Sequence, residues 1–245
     1  MKRFKILLAA LLLCLSLCAC QSGKSADEPA TEAATEAATE ASDEPQAGSA
    51  VTTGKEETFS YTDKSGREIN AVYRLPSLRF NTPDAQKINS EIETKFAPLF
   101  DEAAKQESAQ TALGVTSLDY DAAENDDIVS VVIKTETGSH VMKYAVYNYN
   151  TATGSRIYNA DLLGYLQLDY DQTFASLQKS LEEDYTTKFK PESFPDDYYY
   201  QLDRSTGAEA IRESQLFLNE DGILYAVCTE YATVGAGEFE VLLKV

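Results

Sequence analysis

The apolar residues change their period once, near Gly114, and that change limits the chain to folds that mix a long helix with sheet. Before it, Ile88, Ile92, Phe96, Leu99, Phe100 and Ala103 recur at helical spacing and define one buried stripe. After it the alternation is twofold. Leu118 and Tyr120 alternate with polar residues, and Ile128 to Thr135 and Val141 to Tyr149 follow as longer β-rich runs. Thr82 as N-cap, Pro83 at the first helical position and Asp84 in the first turn start the helix, for three separate physical reasons. Pro98 lies inside the helical pattern and predicts a kink or a break.

The remaining segments fill in around that switch. Thr58 to Thr62 and Arg67 to Arg74 flank the polar turn Asp63-Lys64-Ser65-Gly66 as a hairpin, after which Leu75-Pro76-Ser77-Leu78 is expected to leave the strand. Asn150-Thr151-Ala152-Thr153-Gly154 reads as a turn into a short strand at Arg156 to Tyr158, closed by Asp161-Leu162-Leu163. A second helix is expected from about Tyr170 to Phe189, with Phe174, Leu177, Leu181 and Tyr185 inward. Lys190 to Gln201 reads as a loop. Gln215 to Leu218, Ile223 to Glu230 and Glu238 to Lys244 make a closing antiparallel set, with Asn219-Glu220-Asp221-Gly222 as its first turn. This order predicts an α+β fold, a mainly antiparallel sheet packed by two principal helices.

The chain opens on Lys2, Arg3 and Lys5, followed by an apolar run from Ile6 to Leu17 that is shorter than the roughly 20 residues a membrane-spanning helix needs. The next word, Leu17-Cys18-Ala19-Cys20, resembles the lipobox of bacterial lipoproteins. That resemblance implies a signal peptide at 1–19, a diacylglycerol group on the Cys20 sulfur, and a protein anchored by lipid at the outer face of the cell membrane in a Gram-positive-type envelope. Each buried methylene of such an anchor is worth about 0.8 kcal/mol. Residues 20–54 are then an acidic tether. The Thr-Glu-Ala-Ala repeat from Thr31 sets Glu32, Glu36 and Glu40 four apart, where they repel, and offers nothing larger than Ala to bury. The expected domain is 55–245, with an N-terminal part to about 110 and a C-terminal part from 111.

Of four cysteines, Cys14 and Cys18 would leave with the signal and Cys20 would carry lipid. Cys228 alone then remains, and the domain must fold on its core without an internal disulfide. The formal charge of -19 repels nucleic acid and attracts cationic partners over roughly a Debye length, about 8 Å in physiological salt.

Chemistry-bearing patterns are few. His140 is the single histidine, which excludes a multi-histidine metal centre and a His-Glu-x-x-His helix. Ser139 adjoins it without a Gly-x-Ser-x-Gly elbow, so no catalytic constellation and no cofactor are expected. Cys228 lies in an apolar strand and reads as a buried, inert thiol. Asp119, Asp121, Glu124, Asp126 and Asp127 could crowd a calcium ion, or simply solvate a hairpin, and their spacing is not that of an EF-hand. The candidate ligand-binding run is Asp196-Asp197-Tyr198-Tyr199-Tyr200. Exposed tyrosines there would stack on sugars or anchor a protein interface, and the aspartates would meet hydroxyls or basic side chains; alternatively, the rings pin a loop to the core. Tyr231, before Gly235-Ala236-Gly237, and His140 are the further candidates.

Several local words stand in a fixed order along the chain. They are Ala71-Val72-Tyr73-Arg74-Leu75-Pro76, then Asp84-Ala85-Gln86-Lys87-Ile88-Asn89, then Gly138-Ser139-His140. After these come Tyr149-Asn150-Thr151-Ala152-Thr153-Gly154 with Asp161-Leu162-Leu163, Asp221-Gly222-Ile223-Leu224-Tyr225, and the stretch from Glu230 to Gly237. In that order these words are similar to an extracytoplasmic domain pair found in RsiV-like lysozyme-sensing anti-sigma factors and PdaC-like peptidoglycan deacetylases. The resemblance implies a non-catalytic binding or sensing module at the cell envelope, for a protein or a cell-wall glycan. It does not carry lysozyme binding over to this chain; a basic secreted protein such as lysozyme is admitted as partner by the acidic charge. The alternative is an enzyme acting on wall glycan, or its accessory subunit.

Overall fold

Val51–Thr62 (β1) pairs with Glu68–Leu78 (β2), in which Ala71, Tyr73 and Leu75 alternate inward, as an antiparallel hairpin that starts earlier and ends later than expected. A computed structural model describes residues 49–62, 66–192, 195–233 and 237–245. The signal, Cys20, most of the tether, Asp63 to Ser65 and Gly235-Ala236 lie outside the described residues. Ala50 and Val51 are buried, so β1 begins inside the segment assigned to the tether. Leu75-Pro76-Ser77-Leu78 stays in β2, contrary to expectation. Pro76 faces Thr53, next to a register shift at Gly54, and the only bridge from β2 to its other neighbour is at Tyr73. A sheet irregularity of this kind is one of the places where the absent N–H of a proline is tolerated.

Helix α1 (Pro83–Ser108) carries the chain from β2 to a parallel position in Val115–Asn125 (β3), with Tyr73 opposite Leu118. Its N-cap is as expected, with the Thr82 hydroxyl accepting from the Ala85 N–H. Ala85, Ile88, Ile92, Phe96, Phe100 and Ala103 are buried. Pro98 does not break the helix. Both Pro98 and Thr94, whose carbonyl loses its helical donor, are exposed, so water can take the free acceptor.

Ile128–Thr137 (β4), Met142–Asn150 (β5) and Ser155–Ile157 (β6) complete a six-stranded sheet in the order β1-β2-β3-β4-β5-β6. The β2–β3 pair joins the two parts expected to meet near residue 110 in one sheet. Asn159–Tyr165 (α2), Tyr170–Lys188 (α3), Pro195–Thr206 (α4) and Ala208–Glu213 (α5) follow. Gln215–Leu218 (β7), Leu224–Tyr231 (β8) and Glu238–Lys244 (β9) form a second, antiparallel sheet. The α+β class holds, with the apolar surface divided between two sheets.

Each sheet has its own core. Tyr73, Phe59 and Phe100 meet edge-on under α1, with centroids 5.0 to 6.2 Å apart, and the Tyr73 hydroxyl donates to the Val115 carbonyl at 2.5 Å. The inward stripe of α3 (Phe174, Leu177, Leu181, Tyr185) is buried as expected, and all but Tyr185 join Leu216, Leu218, Ala226 and Cys228 in the second core. Strand β4 serves both sides. Val129, Val131 and Ile133 face the α1 core, while Val132 packs with Phe217 and Val227.

The free edges of the two sheets cap each other with side chains. Asn148 donates to the Leu216 carbonyl at 2.7 Å, and the Leu218 N–H donates to Ser130 Oγ at 3.1 Å. Asn159 bonds both the Ser214 carbonyl and the Leu216 N–H. In return, Gln215 accepts from the Val146 N–H and Glu240 from the Tyr144 N–H. Edge groups that would otherwise invite another strand are satisfied within the fold.

Candidate functional site

The Asp-Asp-Tyr-Tyr-Tyr run lies in a helix, which corrects the expected loop. Pro195 stands at the start of α4, where its missing N–H and fixed φ cost nothing, and Asp196 and Asp197 occupy the first turn, where the helix dipole favours carboxylates. Two prolines in six residues look like breakers in a linear reading, yet the second starts the helix.

Helical spacing then separates the three tyrosines. Tyr198 turns inward, is 4 % exposed, and packs its ring 5.6 Å from that of Tyr185. Tyr199 and Tyr200 are 62 % and 64 % exposed. With Asp196 and Asp203 they occupy positions i, i+3, i+4 and i+7, a solvent-facing stripe of two rings between two carboxylates. Asp197 is half-buried beside the stripe and accepts from the Gln201 side chain at 3.3 Å.

The inner side of α4 is fixed to β8. Ser205 Oγ accepts from the Tyr231 N–H at 2.9 Å and donates to the Gln201 carbonyl at 2.7 Å. The Tyr185 hydroxyl donates to the Tyr231 carbonyl at 3.1 Å, and the Arg204 guanidinium covers the Tyr231 ring at 3.5 Å. Tyr231 therefore belongs to the support of the stripe, its ring already engaged. His140 lies elsewhere, at the β4–β5 turn. Its φ is 60°, its N–H donates to the Thr137 carbonyl, and its Nδ1 meets Glu136 Oε1 at 2.7 Å. None of its hydrogen-bond or ion-pair partners is on α4.

Beneath the helix sits a carboxyl in an unusual setting. Glu230 has a fully buried side chain and accepts from Lys188 Nζ at 2.9 Å, while its Oε1 has no hydrogen-bond partner. Gln201 Oε1, on the facing side of α4, is likewise buried without a donor. Desolvation pushes the Glu230 carboxyl up to about 7, against the pull of Lys188. Burial would lower the Lys188 ammonium, but hydrogen bonds to Asp184 and Glu230 outweigh it and the pKa is raised. The Tyr185 hydroxyl is pushed up to about 12, chiefly by burial and then by Tyr198, Asp197 and Glu230.

The acidic residues of the β3 hairpin do not converge. Asp119 pairs with Arg74 at 2.7 Å and Asp121 with Lys134 at 2.7 Å, while Glu124 accepts from Ser49 and from the Ala50 N–H. The hydrogen bonds to Asp119 outweigh its burial and lower its pKa. Among the described residues no group of three or more His, Cys, Asp or Glu side chains could hold a metal ion. Cys228 is buried, with its thiol pushed up to about 11 by desolvation, which leaves it protonated and unreactive.

A second surface feature escaped the sequence reading. Tyr158, Tyr165 and Tyr170 are 58 %, 49 % and 38 % exposed around α2. Arg156 lies between the rings of Tyr147 and Tyr158, at 5.5 and 5.2 Å from their centroids, and is held by Glu91 at 2.7 Å. Two depressions of about 590 and 350 Å³ flank it and share Arg156, Ile157 and Ala160. The sequence signal was present in the spacing of Tyr158 and Tyr165, seven residues apart. It was obscured because Asp161-Leu162-Leu163 read as the end of a strand unit when it is the body of a helix.

Among the described residues no helix is long and apolar enough to cross a membrane. No protein-family model matches the chain, and no curated protein matches it. Among solved structures, the chain is similar to a member of the DUF3298 family from Bacteroides fragilis, at 11 % identity and a TM-score of 0.34 over 79 % of this chain and 89 % of that one. A likeness of that degree assigns neither ligand nor activity to this chain.

Proposed function

We propose that this protein is a non-catalytic binding or sensing module of the cell envelope, moored through lipidated Cys20 and engaging a basic secreted protein through the outer face of α4. The observation that carries this reading is the stripe Asp196–Tyr199–Tyr200–Asp203. Its two open rings stand on a helix anchored by Tyr198 and Ser205 and are bracketed by carboxylates. Rigid aromatic anchors beside charges are the usual centres of interface energy, and a chain of formal charge -19 steers cationic partners toward them. The resemblance of the ordered sequence words to RsiV-like and PdaC-like extracytoplasmic domains points the same way. The enzyme alternative finds less support. The carboxyl with the raised pKa, Glu230, is sealed under α4, where no substrate reaches it.

The test is calorimetric titration of the full-length protein with lysozyme at low and physiological salt. Saturable association that weakens as salt rises is expected. Tyr199→Ala and Tyr200→Ala should each weaken it about fivefold or more, with unchanged thermal stability. Association indifferent to salt and to both substitutions would overturn this reading, as would its absence.

A further inference from the structure

We propose that the trough beside α2 is a second binding site, for a linear and largely uncharged oligosaccharide. It is separate from the α4 stripe and does not rest on that reading.

The rings come first. Tyr158, the N-cap of α2, and Tyr165, its last residue, bracket the helix, about 10 Å apart along its axis. Both side chains are exposed, and Tyr158 has the Arg156 guanidinium beside its ring. Flat aromatic faces at intervals along a groove suit the apolar faces of successive sugar rings. Between them the floor is low. Ala160 and Gly164 line the trough, and a Cβ added to Gly164 would meet nothing within 4 Å.

The polar groups are built for hydroxyls. Arg156 is held by Glu91, its own backbone N–H donates to Asp84 at 2.8 Å, and its guanidinium is held between Tyr147 and Tyr158. A planar fork of donors fixed in this way loses little entropy on meeting a polyol. Tyrosine hydroxyls, Ser155 and Thr153 add groups that both donate and accept.

Charge and shape select the class of ligand. The charged side chains lining the two depressions are Arg156, Arg212, Asp161 and Glu213, two of each sign. In a chain so acidic overall, this balance disfavours a polycation, which the α4 stripe would attract instead. The depressions adjoin at Arg156, Ile157 and Ala160, one lined by Tyr165 and the other by Tyr158, and a ligand that reaches both rings is a chain of sugar units rather than a compact metabolite. Interleaved polar groups disfavour an apolar peptide helix.

The experiment titrates the full-length protein with the N-acetylglucosamine tetramer, read by calorimetry and by tyrosine emission, which no tryptophan masks in this chain. Saturable binding is expected. Tyr158→Ala and Tyr165→Ala should each weaken it about tenfold and together abolish it, whereas Tyr158→Phe should retain most of it. Tyr199→Ala should leave sugar binding unchanged, which separates this site from the α4 stripe. Thermal unfolding of each variant checks that the fold persists. No saturable binding of the tetramer by the wild-type protein would overturn the proposal. Sugar binding that survives the double substitution in a folded variant would overturn it too, as would a Tyr158 or Tyr165 substitution that weakens lysozyme association and leaves the sugar unaffected.

Discussion

Glu230 is the residue whose surroundings conflict most with its charge, and the conflict gives its pH dependence a definite sign. Unfolded, its carboxyl releases a proton near 4.5; folded, burial holds that proton to about 7. Between those values the folded state binds more protons than the unfolded state, so stability falls as pH rises through the window. Glu230→Gln keeps the shape and an acceptor for Lys188 but removes the titration. Urea unfolding at about pH 5 and about pH 7.5 should show the wild type losing on the order of 2 kcal/mol more than the variant across the window. Equal losses in the two proteins would mean that the site does not titrate there. Tyr198 and its two neighbours make a related point. They share one sequence word, but helical periodicity buries one and exposes two. Substituting Tyr198 by Ala should therefore cost roughly 3 kcal/mol or more of stability, as large-to-small core changes do, and thermal melts distinguish it from the surface pair.

At the scale of elements, turns and caps decide the geometry. Gly154 has a φ of 72°, and a Cβ there would stand 2.9 Å from Thr82 Cγ2, at the N-cap of α1. The β5–β6 turn and the start of α1 are thus pressed together, with the Tyr149 hydroxyl 2.9 Å from Thr82 Oγ1. Gly154→Ala should cost about 1–2 kcal/mol from the left-handed backbone alone and more from the contact. Chemical denaturation gives the value, and a neutral result would show that the turn relaxes freely. The helical and strand periods at this scale were legible in the sequence: α1, α3 and their buried stripes stand where the spacing put them. Helix α4 was not, because Pro195 terminates or starts a helix depending on which side the helix lies, and composition does not say which.

For the whole molecule, the junction of the two sheets is the feature that no local pattern announces. Asn148, Asn159, Ser130 and Gln215 read as ordinary polar positions of strands and turns, yet in the fold they close the free edges of β5 and β7. Asn148→Ala would strip a donor from the Leu216 carbonyl and an acceptor from Ser130 in a buried place. The expected cost is about 1–3 kcal/mol, seen as a lower melting temperature in one cooperative transition shared by both cores. Two separate transitions would instead mean that the cores unfold independently and that the junction does not couple them.

What the sequence determined by itself was whatever depends on neighbours a few residues away. This includes the class of fold, the N-cap of α1, the stripes of α1 and α3, the turns at Asn150 to Gly154 and Asn219 to Gly222, and the inert placement of Cys228, because period and cap chemistry are local. Only the tertiary structure decided which tyrosines face water, that Tyr231 is covered by Arg204, that Glu230 keeps an unpartnered oxygen under α4, and that Arg156 is clamped by α1 beside a trough. Those properties depend on which distant segments pack together, and hydrophobic burial, being non-directional, leaves that choice to the assembled whole.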